Sequence, residues 1–455
     1  MIVFVYAYFS VLFYLPRTLY MDTSYMTFNL LNYETFALEH NRLSLFFLQF
    51  VPLIFVKLKM SLTMVLMSIS LWPCFLYGSI TYLLYKKFNQ PVLAFVWLLL
   101  LIVPMRHFFN YALSESNMAL GMSLLGFGYV IFMLESNRIP TLWNLTWLFG
   151  FNMIAVLFHP SAIIYLMIIG FVIFLKVGYN KWFGAHLLTY LEVCILYFLI
   201  KPKGGYDTQI IENIFSFQSL SNILDSYVIN FYLGNFWSYY LLFFVAMLFI
   251  LIRFFMQNKF MKLMLYSCFC LFVFIMVSII YVNGDSVFFM EKNMLPISLI
   301  MLLPIVLVFK GFKFDKHWQH LITLSVMVLV FSFGLFQIHK VGLLYRSRSL
   351  QVLDIVKLMD SKGLKKVWIQ QDAIQNSFNM APWTMPYETL ILSNLFLDKS
   401  ITLKPFLEET NLKSEANDFI GSDFTPVINL DKNPLNPTYF KALKGNYQVI
   451  DITKE

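Results

Sequence analysis

The sequence predicts an all-α polytopic membrane protein of about 11 transmembrane helices with a small C-terminal extracytoplasmic α/β domain. Three observations predict it. Of 455 residues, 59% are hydrophobic and only 13% charged, about half the charge of an ordinary soluble domain. Charge-poor runs, each long enough or nearly so to cross a bilayer as a helix, recur up to about position 337. From about residue 345, Lys, Asp, Asn, Ser and Pro become common and no run is long enough to span. A net charge of +8 would suit nucleic acid in a soluble chain, but here the bases must first satisfy membrane topology. No nucleic-acid partner is expected.

In chain order the apolar runs fall at 1–15, 61–85, 91–105, 118–135, 145–158, 162–175, 183–200, 236–253, 263–281, 294–309 and 320–337. The first lacks a basic n-region and a small-residue cleavage site, so it is expected to stay as a helix. Residues 145–175 as one helix would run about 46 Å, too long for one crossing. His159-Pro160-Ser161 supplies a break, because proline disfavours helix at the residue before it, and a hairpin is expected. With a cytoplasmic N-terminus, the inner loops hold Lys86, Lys87, Arg138, Lys176, Lys181, Arg253, Lys259, Lys262, Lys310, Lys313 and Lys316 against only Glu135 and Asp315. The outer loops have slightly more acids than bases, as the positive-inside rule requires.

The expected organisation is a transmembrane domain over 1–340, with 16–60 as its first outer loop and interfacial helix, followed by an extracytoplasmic domain over 341–455. In the latter, 365–370 alternates like a strand, Leu350 to Met359 has helical spacing and Asn429 to Asn436 is turn-rich. Cys74, Cys194, Cys268 and Cys270 lie in apolar segments and read as small buried hydrophobes. Glu192, inside the seventh run, needs a partner or an aqueous cavity; a hydrogen bond to Tyr190 or a neighbouring helix is the simplest account.

Long outer loops carrying ionisable groups beside aromatics place any site on the outer face. Asp22 follows the first helix, where partial desolvation raises a carboxylate's basicity and suits a general base. His40 and Arg42 close the same loop. Leu43 to Lys57 suits a helix lying in the interface. Arg106, His107 and Glu115 form a second outer cluster, His159 tops a hairpin, and Asp285, Glu291 and Lys292 lie before the tenth run. Arginine offers planar charged hydrogen bonds, and histidine a protonated imidazole, for a phosphate or pyrophosphate. The bland alternatives are solvated loop acids and packed histidines. There is no P-loop, no His-Glu-Xxx-Xxx-His, no nucleophile elbow and no Cys/His metal array.

The order of these features, with TyrMetAspThrSerTyr at 20–25, HisAsnArgLeuSerLeuPhePheLeuGlnPheValProLeu at 40–53 and SerGlu at 114–115, resembles the integral membrane glycosyltransferases of the C superfamily over about residues 1–175. The resemblance implies a transferase of the bacterial inner membrane that moves a sugar from a polyprenyl-phosphate carrier to a glycan, lipid or protein acceptor on the extracytoplasmic face. By position Asp22 would be the base and Glu115 the acid of the second outer loop, while Arg42, Arg106, His107, His159 and Lys292 would serve the carrier phosphate. His40, Asp285 and Glu291 are secondary candidates. Thr23 replaces the second acid of the family's usual pair, so use of a divalent metal is left open, and no cofactor is otherwise implied. Two other readings stay open: a cell-surface polysaccharide polymerase using lipid-linked repeat units, and a transporter or flippase.

Overall fold

A computed structural model of the protein describes residues 2–38, 42–200, 226–281, 286–309, 317–371, 382–406, 417–421 and 425–450, without the side chains of 317–320, 322 and 323. Most of it is helical. In the first half, α1 (Ile2–Leu12), α2 (Tyr14–Leu19), α3 (Asp22–Tyr33), α4 (Phe46–Lys57), α5 (Leu62–Tyr82), α6 (Pro91–Ile102), α7 (Glu115–Glu135), α8 (Leu142–Phe158), α9 (Ala162–Val177) and α10 (Lys181–Ile200) follow one another. Then come α11 (Tyr227–Gly234), α12 (Leu241–Met256), α13 (Phe260–Ile280), α14 (Val287–Asn293), α15 (Leu295–Leu302), α16 (Ile305–Val308), α17 (His317–Ser361) and α18 (Met385–Leu397).

Seven helical stretches among the described residues are long and apolar enough to cross a membrane: 62–87, 115–135, 181–200, 236–256, 260–280, 287–308 and 324–361. The other four expected crossings coincide with α1, α6, α8 and α9, which are apolar but only 11 to 17 residues long. A 12-residue helix rises about 18 Å, well short of a hydrocarbon core of about 30 Å. The break in 145–175 falls where proline demands it. His159 is extended (φ −159°, ψ 136°), ending α8, and α9 starts at Ala162.

Burial divides the helices. The spanning window of α7 is 83% buried, whereas those of α10 and α13 are 22% buried. The bundle therefore closes around α7, and α10 and α13 face outward with apolar side chains, as lipid contact requires. Glu192 lies on the exposed side of α10, and among the described residues it makes no hydrogen bond to Tyr190 or to a neighbouring helix. Of the cysteines only Cys74 is buried; Cys268 is exposed, because its helix presents that face outward.

The segment expected as the first outer loop is largely helical. Residues 22–33 form α3, whose buried side includes Thr23, Met26, Thr27, Leu30 and Leu31 at helical spacing. Next, α4 buries Leu48, Gln49, Pro52 and Val56 and exposes Phe46, Phe47, Phe50 and Ile54, the two-faced pattern of an interfacial helix. Gln49 fixes the intervening segment by accepting from the Ala37 amide (2.8 Å) and donating to its carbonyl (2.9 Å).

At the other end α17 runs 45 residues without a break, through position 340 where the two expected domains divide. Close packing against the start of the chain needs a glycine, since a Cβ on Gly342 would stand 2.6 Å from the Phe13 ring. Beyond α17, β1 (Lys366–Gln370) pairs in parallel with β2 (Thr402–Phe406) on one side and β5 (Gln448–Ile450) on the other. The described crossover from β1 to β2 contains α18. β3 (Asp418–Phe419) and β4 (Ile428–Asn429) form a small antiparallel pair. This unit packs onto α3 and α4. Asn436 accepts from none of them but binds through its own amides: its backbone N–H donates to Asn32 Oδ1 (3.0 Å), and its side chain donates to the Leu31 carbonyl (2.9 Å) and Glu34 (3.0 Å). The Tyr439 hydroxyl donates to the Val56 carbonyl (3.1 Å).

Candidate functional site

Asp22 is the first residue of α3, where the free amides of the helix start favour a carboxylate. It is half-buried. The preceding Met21 is 1% exposed and has φ 55°, ψ −150°, a strained conformation for a residue with a side chain. Tyr20, one step earlier, is held edge-on by Tyr345 and Phe288 at centroid distances of 4.9 and 5.6 Å. The chain thus enters α3 through a packed, strained turn that aims Asp22. Tyr111 donates its hydroxyl to Asp22 Oδ2 at 3.3 Å.

Glu115 opens α7, with Ser114 as N-cap accepting from the Asn117 amide (3.3 Å). Its side chain is 3% exposed and ion-paired with Arg42, whose side chain is 12% exposed. The charges of Asp22 and Lys292 also act on Glu115. Tyr111 is buried among them, and burial, then Glu115, then Asp22, raise its hydroxyl well above the ordinary range. At the α8–α9 turn, burial and then the charges of Arg42 and Lys292 hold His159 well below an ordinary imidazole. The Ser161 amide donates to His159 Nδ1 (3.2 Å), which leaves the proton of the neutral ring on Nε2. Tyr111 contacts Asp22 and Arg42 contacts Glu115, and charge interactions couple these two pairs to each other and to Lys292 and His159, so that α3, the 103–114 segment, α7, the turn before α4, α14 and the α8–α9 turn all contribute.

Arg106, His107 and Glu291 form a neighbouring but different constellation. Glu291 is fully buried and spends both oxygens on the 103–114 segment, accepting from the His107 amide (3.0 Å) and the Phe108 amide (2.8 Å). That makes it a positioning carboxylate. His107 Nδ1 lies 3.4 Å from the Tyr345 hydroxyl, and burial followed by Arg106 lowers its pKa to about 4. At both His107 and His159, dry surroundings and adjacent cations disfavour the protonated imidazole. Each can still offer a neutral N–H. His40 and Asp285 lie outside the described residues.

Other residues that shape the site were not singled out. Tyr111 is one of 26 tyrosines and has no local mark. Arg17 is 1% exposed in α2; it donates to Ser70 Oγ (2.8 Å) and to the Phe109 carbonyl, tying the 103–114 segment to α5. Arg348 makes a two-pronged ion pair with Glu388 (2.6 and 2.8 Å), and its guanidinium lies 4.7 Å from the Tyr20 ring. Among the described residues no three His, Cys, Asp or Glu side chains come together in a way that would hold a metal ion.

No family model matches the chain, no curated protein is similar to it at a meaningful level, and no solved structure matches its fold.

Proposed function

We propose that this chain is an integral membrane glycosyltransferase that moves a sugar from a polyprenyl-phosphate carrier to an acceptor on the extracytoplasmic face. In this reading the chain crosses a bacterial inner membrane eleven times, the N-terminus is cytoplasmic, and the C-terminal unit lies outside. The observation that carries it is the convergence of Asp22, Tyr111, Glu115, Arg42, Lys292 and His159 from six separate segments, behind a strained Met21. Strain and buried charge are costly and persist where the surroundings hold them in place, often at sites of chemistry.

Asp22, the more accessible acid, takes the proton from an acceptor hydroxyl as its oxygen bonds to the anomeric carbon. The bond from that carbon to the carrier phosphate breaks, and its electron pair leaves with the polyprenyl phosphate. Arg42 and Lys292 offset the charge growing on that phosphate, with the His159 Nε2–H as a neutral donor. Glu115 holds Arg42 in place. Inversion at the anomeric carbon follows from single displacement.

The test incubates purified protein with a polyprenyl-phosphate sugar and candidate acceptors. Asp22→Asn is expected to lower turnover by about 10²- to 10⁴-fold with membrane insertion unchanged. Turnover equal to wild type would remove Asp22 as the base. Uptake of substrate into vesicles without a new glycosidic bond would replace the transferase with a transporter.

A further inference from the structure

Arg106 is 4% exposed, and two of its three guanidinium nitrogens, Nε and Nη2, have no hydrogen-bond partner among the described residues. Its guanidinium carbon lies 3.7 Å from the centre of the Tyr239 ring and 5.6 Å from that of Phe333. The neighbouring Tyr240 is fully buried and its hydroxyl is likewise unpartnered. Glu291 is close enough to act on both by charge, but its oxygens accept from the His107 and Phe108 amides. Buried donors without acceptors are costly, and a guanidinium more so than a hydroxyl. The Arg106 guanidinium also interacts with the Tyr239 hydroxyl, but its Nε and Nη2 and the Tyr240 hydroxyl keep no partner among the described residues. Buried donors gathered in one place match an anion with several oxygens.

The local backbone supports this arrangement. Tyr239 and Tyr240 sit on Phe236–Tyr240, a π-helical turn leading into α12. Such widened turns redirect side chains and recur at functional sites. The surroundings point outward toward lipid. Phe333 is 49% exposed, and beside it on the same two elements Trp237, Val245, Leu329 and Phe336 are exposed by 52% to 79%. A polar group could reach Arg106 from this side only if attached to an apolar body.

We propose that Arg106 and Tyr240 form a docking site for the phosphate group of a membrane amphiphile, reached from the bilayer past Phe333 and separate from the Asp22 cluster. The planar fork of Arg106 takes two phosphate oxygens, the Tyr240 hydroxyl donates to one of them, and the Tyr239 ring holds the guanidinium in plane. The hydrocarbon tails stay in the bilayer beside Phe333. This assignment concerns binding alone and stands whether or not the chain transfers a sugar.

The full chain in detergent micelles is titrated with dioleoyl phosphatidate, with dioleoylglycerol, which has the same tails but no phosphate, and with inorganic phosphate. Bound lipid is counted by native mass spectrometry. Saturable binding of phosphatidate is expected, with none of dioleoylglycerol. Arg106→Gln should weaken it about tenfold or more, and Tyr240→Phe by about threefold to tenfold, since a charged and a neutral donor are lost respectively. Lys87→Gln, at an exposed base with no part in either site, should leave it unchanged. If Arg106→Gln fails to fold, Tyr240→Phe, which keeps the ring, decides. Equal binding of both lipids, displacement of phosphatidate by equimolar inorganic phosphate, or binding unchanged in Tyr240→Phe would each overturn the proposal.

Discussion

Glu115 and Arg42 form a nearly dry ion pair at the start of α7, and their energetics differ from those of a surface pair. Removing one partner strands the other in a poor solvent, which costs about 3–5 kcal/mol, whereas replacing both with apolar residues of similar size is close to neutral. Glu115→Leu alone is therefore expected to lower the thermal midpoint in detergent sharply, and Arg42→Met with Glu115→Leu to recover most of it. If the double variant is no better than the single, the two side chains do not act as a pair. Sugar transfer should be lost in both, because Arg42 is absent or misplaced in each.

His107 gives a pH signature. Its folded pKa, about 4, lies below the ordinary 6.5, through burial and then Arg106. Between those values the unfolded chain binds a proton that the folded chain refuses, so acidification favours unfolding. The contribution to stability is full above about pH 6.5 and declines as pH falls toward 4. Measured as thermal midpoint against pH, the slope in this window should be shallower in His107→Gln than in wild type.

Among the helices, α17 and α3 show what the order of residues reveals and what it conceals. Long apolar runs such as 115–135 and 260–280 are readable because lipid and the bundle core both demand apolar side chains over a whole length. α3 was concealed because its inward face carries Thr23, Ser24 and Thr27 among the apolar residues, which blurs the helical period while Phe28, Leu31, Tyr33, Phe36 and Leu38 imitate an extended pattern. Asp22, Arg42, Glu115, His159 and Lys292 could be picked out as ionisable groups between the apolar runs. Tyr111 and the Arg348–Glu388 pair could not, since contacts across dozens of residues leave no local trace. Gly342 is an element-scale test: with a Cβ there only 2.6 Å from the Phe13 ring, Gly342→Val should overpack the α17 seam and destabilise by about 1–3 kcal/mol, read as a lower thermal midpoint.

Over the whole molecule, the C-terminal unit is fastened to the helix that starts with Asp22. Asn436 grips the far end of α3, Phe28 packs against Tyr387, Phe419 and Phe440, and Arg348–Glu388 joins α17 to α18 beside Tyr20. Two of these hydrogen bonds, of about 1 kcal/mol each, hang on the Asn436 side chain. Asn436→Ala is expected to loosen the unit, seen as faster proteolysis of the region after α17 and a lower midpoint. Cleavage no faster than in wild type would show that the aromatic contacts alone secure it.

A rod 45 residues long measures about 68 Å. α17 carries Phe333 against Arg106, Gly342 against Phe13, Tyr345 beside His107, and Arg348 under the C-terminal unit. Like a tiller, it turns a small tilt at one end into a displacement of several ångströms at the other, about 6 Å for 5° over its full length. Whatever leans on its exposed end therefore also presses on the turn that aims Asp22.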